Sequence, residues 1–170
     1  MNTRTIINPD TIPIGLIREK LDQVKDPEIP TLSIVELGMV TKLESTTGRN
    51  IKVSITPTFA GCPAVDIIKD EVKKKLSELD PASLEVDVNF DVQWTSDMIS
   101  EKGRDILSKA NFALPHKHNG LFDIEVFKNV ECPFCHSNKT LLKTTFGPTL
   151  CRAIHYCNNC QQSFEQFKPI

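Results

Sequence analysis

The sequence predicts an α+β protein, a small mixed sheet with helices packed on it, followed by a C-terminal four-cysteine zinc ribbon. Three observations predict it. Apolar residues recur at helical spacing in two segments, they alternate with polar residues in the stretches between, and two C-x-x-C pairs near the end enclose 21 residues.

Ile14, Ile17, Leu21 and Val24 fall three and four apart, the stripe of an amphipathic first helix, which Asp26-Pro27 stops. MVTKLES, TTGRN and IKVSITPT then read as a hairpin. Gly48 suits positive φ in its turn, and Ile51, Val53 and Ile55 share one face. From Cys62-Pro63 onward, Val65, Ile68, Val72, Leu76 and Leu79 line a second helix, expected to start at Cys62. Val86, Val88, Phe90, Val92 and Trp94 alternate strictly, which predicts one long strand with a buried face. A third helix is expected over 96–110. The order α-β-β-α-β with a trailing helix is that of a compact layer of helices on a mixed sheet. NFALPHKHNG, rich in polar residues with a proline and a glycine, marks a linker. The expected division is 1–112 for the α+β domain, 113–125 for the linker and 126–170 for the ribbon.

Within the tail, C-P-F-C and C-N-N-C flank two β-like runs, TLLKTTF and CRAIHY. Each C-x-x-C turn offers two thiolates one ion diameter apart, and two such turns close a tetrahedron with no open ligand position. Cys132, Cys135, Cys157 and Cys160 are therefore the expected ligands of a structural zinc, with a rubredoxin-like iron as the other ion such a cage accepts. A segment of about forty residues has too little core to fold alone, so metal ligation supplies much of its stability. Cys151 lies outside the knuckle spacing and reads as a small apolar filler in a strand, ahead of a partner contact or spare ligand. His136 and His155 adjoin the knuckles but are not needed as ligands.

Composition narrows the function classes. The chain is 39% hydrophobic and 25% charged, as a globular protein is, and no apolar run approaches a bilayer span. MNTRTIINPD lacks the apolar stretch of a signal peptide, and five of six cysteines fall in the last forty residues, which speaks for a metal site over disulfides. A cytoplasmic location is expected. From Glu131 on, four cations face two carboxylates, which leaves −4 on residues 1–130, so no basic stripe is available for nucleic acid. No G-x-G-x-x-G turn, Glu-x-x-His pair or ferredoxin-type cysteine spacing occurs, so no residue set for flavin, nicotinamide, di-iron or resident iron–sulfur chemistry is found. No catalytic residues are expected.

Cys62 stands out as the lone cysteine of the first 130 residues. At a helix start its sulfur would meet unpaired N–H groups and the positive end of the dipole, which favour the thiolate, although a cysteine simply buried under the helix has the same position. Thr56 and Thr58 are near it in sequence, and an acidic loop with Asp26 and Glu28 can approach from the end of the first helix.

DPEIPTLSIVELGMV followed by TPTFAGCPA resembles the metal–sulfur cluster biosynthesis domain, a family that assists iron–sulfur assembly. WTSDMISEKGR, CPFC, FGPTLCRA, YCNNC and FEQFK are similar to one branch of it, the phenylacetate-degradation D proteins (PaaD), over roughly residues 12–168; Met98 stands where that branch is expected to carry tryptophan. The resemblance implies an accessory protein for maturing an iron or iron–sulfur centre of the multicomponent phenylacetyl-CoA monooxygenase (epoxidase) in aerobic phenylacetate breakdown. The alternative it leaves is a non-catalytic structural subunit of that complex. It implies Asp26, Glu28, Thr56, Thr58 and Cys62 on one surface, with Cys62 as a transient ligand for iron or a cluster. Because one cysteine cannot hold a [2Fe–2S] unit, further ligands would come from a second protomer, a partner or a small thiol. The implied partners are the oxygenase and reductase components, with room for the general iron–sulfur assembly machinery and for a homodimer.

Overall fold

The computed structural model describes residues 10–114, 127, 128 and 130–168. His116, His118 and most of the expected linker lie outside the described residues. Among the described residues three α-helices, α1 (Ile14–Asp22), α2 (Val65–Ser77) and α3 (Glu101–Lys109), accompany six strands: β1 (Val40–Thr46), β2 (Asn50–Ile55), β3 (Ser83–Val88), β4 (Thr140–Thr144), β5 (Arg152–Cys157) and β6 (Ser163–Phe167). They form two three-stranded sheets, ordered β1-β2-β3 and β4-β5-β6. The first is mixed, an antiparallel hairpin extended by β3, which runs parallel to β2 after the α2 crossover. The second is antiparallel throughout. No helix among the described residues is long and apolar enough to cross a membrane.

Ile17 and Leu21 of α1, Ile68, Val72 and Leu76 of α2, and Ile51, Val53, Ile55 and Val86 of the sheet meet in one core. Ile14 departs from the expected stripe and is exposed at the first turn of α1, which ends at Asp22, four residues before Asp26. Residues 25–39 then run through the core without regular structure, burying Ile29, Leu32, Ile34, Leu37 and Met39. Buried irregular backbone needs internal partners, and this segment has them: Asp26 N–H donates to the Leu32 carbonyl (2.9 Å), Ile34 to Val24 (3.1 Å) and Met39 to Ile34 (2.9 Å). The Trp94 indole N–H donates to the Leu37 carbonyl at 2.8 Å and fastens the segment from the far side.

Three expected boundaries move for identifiable reasons. α2 starts at Val65, with Cys62 in the turn that precedes it. The long strand stops at Val88 because Asn89 Oδ1 accepts the Asp91 amide at 2.8 Å and turns the chain, leaving Phe90 59% exposed. The third helix is broken at Ile99 into a 3₁₀ turn, Ser96–Met98, and α3, whose N-cap Ser100 accepts the Gly103 amide. Gly103 is required here, since a Cβ would lie 2.7 Å from the Glu36 carbonyl oxygen.

The tail contains a third strand, β6, beyond the two expected. Its sheet packs on the α+β core. Cys151 and Phe167 belong to the buried cluster of that core, and the Phe167 ring lies 5.8 Å from Trp94. Ala113, expected in the linker, pairs with β6 through bonds to Glu165 and Phe167 (2.9 and 3.0 Å). At the opposite end of the ribbon Val130, Cys132, Cys157 and Phe164 form a separate small cluster.

Candidate functional site

The two C-x-x-C turns are built alike. After Cys132-Pro-Phe-Cys135 the amide of His136 donates to the Cys132 carbonyl, and after Cys157-Asn-Asn-Cys160 that of Gln161 donates to Cys157, both at 2.9 Å. Return bonds from Cys132 N–H to Ser137 (3.1 Å) and from Cys157 N–H to Gln162 (2.9 Å) close each turn. This path forces His136 and Gln161 into the left-handed region, at φ 57° and 61°, although neither is glycine. In return, amides converge on the sulfurs: those of Phe134 and Cys135 on Cys132, that of Ser137 on Cys135, and that of Gln162 on Cys160. The Asn159 side chain, 3.6 Å away, and the Ser137 amide lower the Cys135 thiol to about 6. His136 bonds Glu131 (2.6 Å), and His155 bonds Gln166 (2.9 Å) while stacking on Phe164, so neither is directed to the cage.

All four sulfurs lie within 4.8 Å of one another, and the Cys132–Cys160 and Cys135–Cys157 pairs are 3.6 Å apart. A tetrahedral ion with metal–sulfur bonds of about 2.3 Å needs sulfur–sulfur edges of about 3.8 Å. The donor set thus fits a closed four-thiolate metal site, of the size and softness that a thiophilic ion such as zinc or iron takes.

A second site lies where the ribbon meets the α+β domain. A cavity of about 390 Å³ is lined by Asp26, Glu28, Thr58 and Cys62 from one side and by Cys151 and Arg152 from the other, with Phe167 at its wall. Asp26 holds its loop in shape, Oδ1 accepting the amides of Glu28 and Ile29 at 2.9 Å each. Glu28 reaches Arg152 across the interface at 3.4 Å, and Arg152 also bonds Glu165 at 2.9 Å and lies over the Phe112 ring. Thr56 is not on this surface: it is buried, its hydroxyl donates to the Val92 carbonyl at 2.7 Å, and it faces a neighbouring cavity with Phe90 and Trp94. Thr58 lines both cavities.

The expectation that the helix end favours a Cys62 thiolate is corrected by the surroundings. Burial pushes the Cys62 thiol up, the Ala64 amide opposes this only partly, and Cys151, Asp26 and Glu28 push it further. Burial likewise raises Cys151, against the Thr149 hydroxyl and Arg152, with Glu28 and Asp26 adding to the rise. Both sulfurs are therefore favoured in the thiol form. Sequence reasoning gave Cys151 to packing and passed over Arg152. The signal for both was in L-C-R-A-I-H-Y: a charged residue on a strand otherwise read as apolar needs a partner when it turns inward.

The cage and the cavity are separate. Cys151 sits in the turn just before β5 and Cys157 ends that strand, about 20 Å away along the extended chain. The four-cysteine cage lies at the far end of the ribbon, and the cavity lies where the ribbon is pressed against the other sheet.

A thiol-bearing α+β domain closed by a metal ribbon defines a class, and comparison with known proteins agrees. Residues 16–94 match the family described as iron-sulfur cluster assembly protein, and residues 118–168 match the PaaD zinc beta ribbon domain. Among solved structures, a domain of unknown function (DUF59) from Bacillus anthracis is 29% identical, with a TM-score of 0.53, covering 55% of this chain and 90% of that one. A conserved hypothetical protein from Thermotoga maritima is 25% identical, with a TM-score of 0.50, covering 58% and 96%. A Bacillus subtilis protein named as an Fe-S protein maturation auxiliary factor is 38% identical over 47% of this chain and 78% of its own length. An Escherichia coli K12 protein named as one of the subunits of 1,2-phenylacetyl-CoA epoxidase is 32% identical over 150 residues, 88% of this chain and 89% of its own. The chain belongs to the phenylacetate-degradation D-protein (PaaD) family, in which an iron–sulfur cluster assembly domain is followed by a zinc ribbon.

Proposed function

We propose that this protein is an accessory factor that matures an iron or iron–sulfur centre of a phenylacetyl-CoA monooxygenase (epoxidase). The observation that carries the reading is the cavity holding Cys62, formed by an iron–sulfur assembly domain and walled by the ribbon that distinguishes this family. Cys62 is the point of cargo attachment, and Asp26 and Glu28 add negative charge that favours a cation beside it. Thr58 contributes a hydroxyl to the same wall, while Thr56 acts from behind by fixing the strand end to Val92. The ribbon holds zinc through Cys132, Cys135, Cys157 and Cys160 in a structural role, and the chain works in the cytoplasm on the oxygenase and reductase components. Residues 1–112 and 126–170 are two units joined by 113–125.

A structural subunit that stays with the oxygenase is the second reading. Its support is the Escherichia coli relative named as belonging to an epoxidase, together with exposed apolar side chains on the ribbon, Phe134, Leu141, Phe146 and Leu150. Reconstitution separates the two. Oxygenase and reductase produced without this protein should carry a deficient iron or iron–sulfur centre. Adding purified protein with iron and a sulfide source should restore cofactor content before turnover. Fully loaded components obtained without the protein would exclude the maturation reading.

A further inference from the structure

Cys62 and Cys151 are 89 residues apart and belong to different sheets' connections, yet they line the same cavity. Cys151 is held there by a tight loop. Gly147 N–H donates to the Arg152 carbonyl (2.8 Å), Arg152 N–H to Thr149 (3.2 Å), and the Lys168 amide to Cys151 itself (2.9 Å). Gly147 comes close enough that a Cβ there would lie 3.1 Å from the Arg152 carbonyl oxygen, so the loop has little room to move Cys151 away. The Thr149 hydroxyl, 3.1 Å from the Cys151 sulfur, orients it.

The wall beside it is also prepared for charge. The Arg152 side chain is 9% exposed, and its Nε has no hydrogen-bond partner among the described residues while its other two nitrogens are occupied by Glu28 and Glu165. Arg152 lines the cavity that holds both thiols, and its charge acts on Cys151, so a buried guanidinium with one N–H unpartnered is at hand to balance the negative charge that metal-bound thiolates bring.

We propose that Cys151 is the second thiolate of the Cys62 site, so that the ribbon and the assembly domain together grip a thiophilic divalent metal, iron in the first instance, between two sulfurs of one chain. The inference rests on the maturation reading and supplies a ligand that Cys62 alone lacks. Two metal–sulfur bonds form, two thiol protons leave for solvent, and no electron is transferred. Asp26 and Glu28 complete the coordination or balance its charge. Among the described residues only the ribbon quartet forms a group of three or more ligands within 4.8 Å of one another, so a carboxylate must move in and the cavity close before an ion here gains a third ligand. A site that must close holds its metal less firmly than the preformed cage, as suits cargo that is to be handed on.

The test uses the full chain with its ribbon zinc in place, titrated with Co(II) without oxygen. The expected result is one further cobalt per chain, with sulfur-to-cobalt charge-transfer absorption of two bonds. Cys62→Ala and Cys151→Ala should each halve that absorption per bound cobalt and weaken binding about tenfold or more. Retention of one zinc per chain certifies the variant's ribbon. If Cys151→Ala loses that zinc, phenylarsine oxide on the wild-type protein decides instead, because it closes a ring only on two thiols that share a site. Protection of Cys62 and Cys151 together from alkylation supports the proposal. Wild-type cobalt affinity and absorption in Cys151→Ala, or arsenical that leaves both thiols free, overturns it. The same proteins added to cofactor-deficient oxygenase and reductase distinguish the two levels. Wild type active with Cys151→Ala inactive supports the shared site; equal activity overturns it and leaves the maturation reading standing. A two-thiolate cobalt site in a wild-type protein that restores no cofactor upholds the site and removes the maturation reading.

Discussion

Replacing Phe167 by alanine tests whether the ribbon is seated on the α+β domain as described. The side chain is 2% exposed and lies in the core of the other sheet's domain, its ring 5.8 Å from Trp94 and tilted by 57°. Truncating a buried phenylalanine costs about 3–5 kcal/mol, since lost transfer energy adds to an unfilled cavity. Trp94 cannot relax far into the gap, because its indole N–H is tied to the Leu37 carbonyl. Phe167 is, however, the last residue of β6, where the chain can fray, so the lower end of that range, about 3 kcal/mol, is expected. Trp94 is the only tryptophan, so urea unfolding followed by its fluorescence reads the contact directly. Phe167→Ala should lower the stability by that amount and shift the folded-state emission to the red as water reaches the indole, with one metal per chain retained. A cost below about 1 kcal/mol with unchanged emission would refute the seating of the ribbon and the cavity that depends on it.

Cys157→Ser should abolish metal binding and unfold the ribbon, seen by native mass spectrometry and hydrogen exchange, while residues of the first sheet stay protected; collapse of both sheets would contradict the proposed division at 113–125. Cys62→Ala, removing a half-buried side chain from a turn, should change stability by about 1 kcal/mol or less, yet cells that depend on the protein for growth on phenylacetate should fail to grow although it accumulates. The Ser33 hydroxyl, 2.5 Å from Asp22, holds that carboxyl below its ordinary value, so its contribution is complete above about pH 4 and is lost as pH falls through the lower folded-state value. Asp22→Asn should therefore flatten the acid limb of the stability profile and cost only about 0.5–1 kcal/mol at pH 7, the site being partly open to solvent. Gly103→Ala should destabilise by about 1–3 kcal/mol, because α3 can accept a methyl group only by moving off the Glu36 carbonyl; thermal melting checks it.

The elements with a single local cause were legible in the sequence. The α2 stripe, the hairpin with its glycine turn and the two knuckles each follow from spacing that neighbours in sequence impose. What was lost depended on partners far along the chain. The alternation through Phe90 and Trp94 is real, but Asn89 turns the backbone between them, and Trp94 is buried by Leu37 and Phe167 instead of by strand pairing. β6 was missed because S-F-E-Q-F is too short and polar to signal alone, and it is fixed by pairing with β5 and with Ala113. Thr56 and Cys62 are close in sequence and are expected on one surface, but the chain bends and turns between them, and the Thr56 hydroxyl is bonded inward to Val92. The joining of Cys62 with Cys151 could not be read from spacing at all, since it arises only when one sheet is laid against the other.

Turnover of cofactor-replete oxygenase and reductase, measured with and without this protein at equimolar ratio, tests the central claim most directly. The account predicts the same rate in both mixtures, because a maturation factor has finished its work once the metal centres are loaded. A rate that depends on the protein when iron and sulfide contents are already complete would contradict it and make the chain a working subunit of the oxygenase.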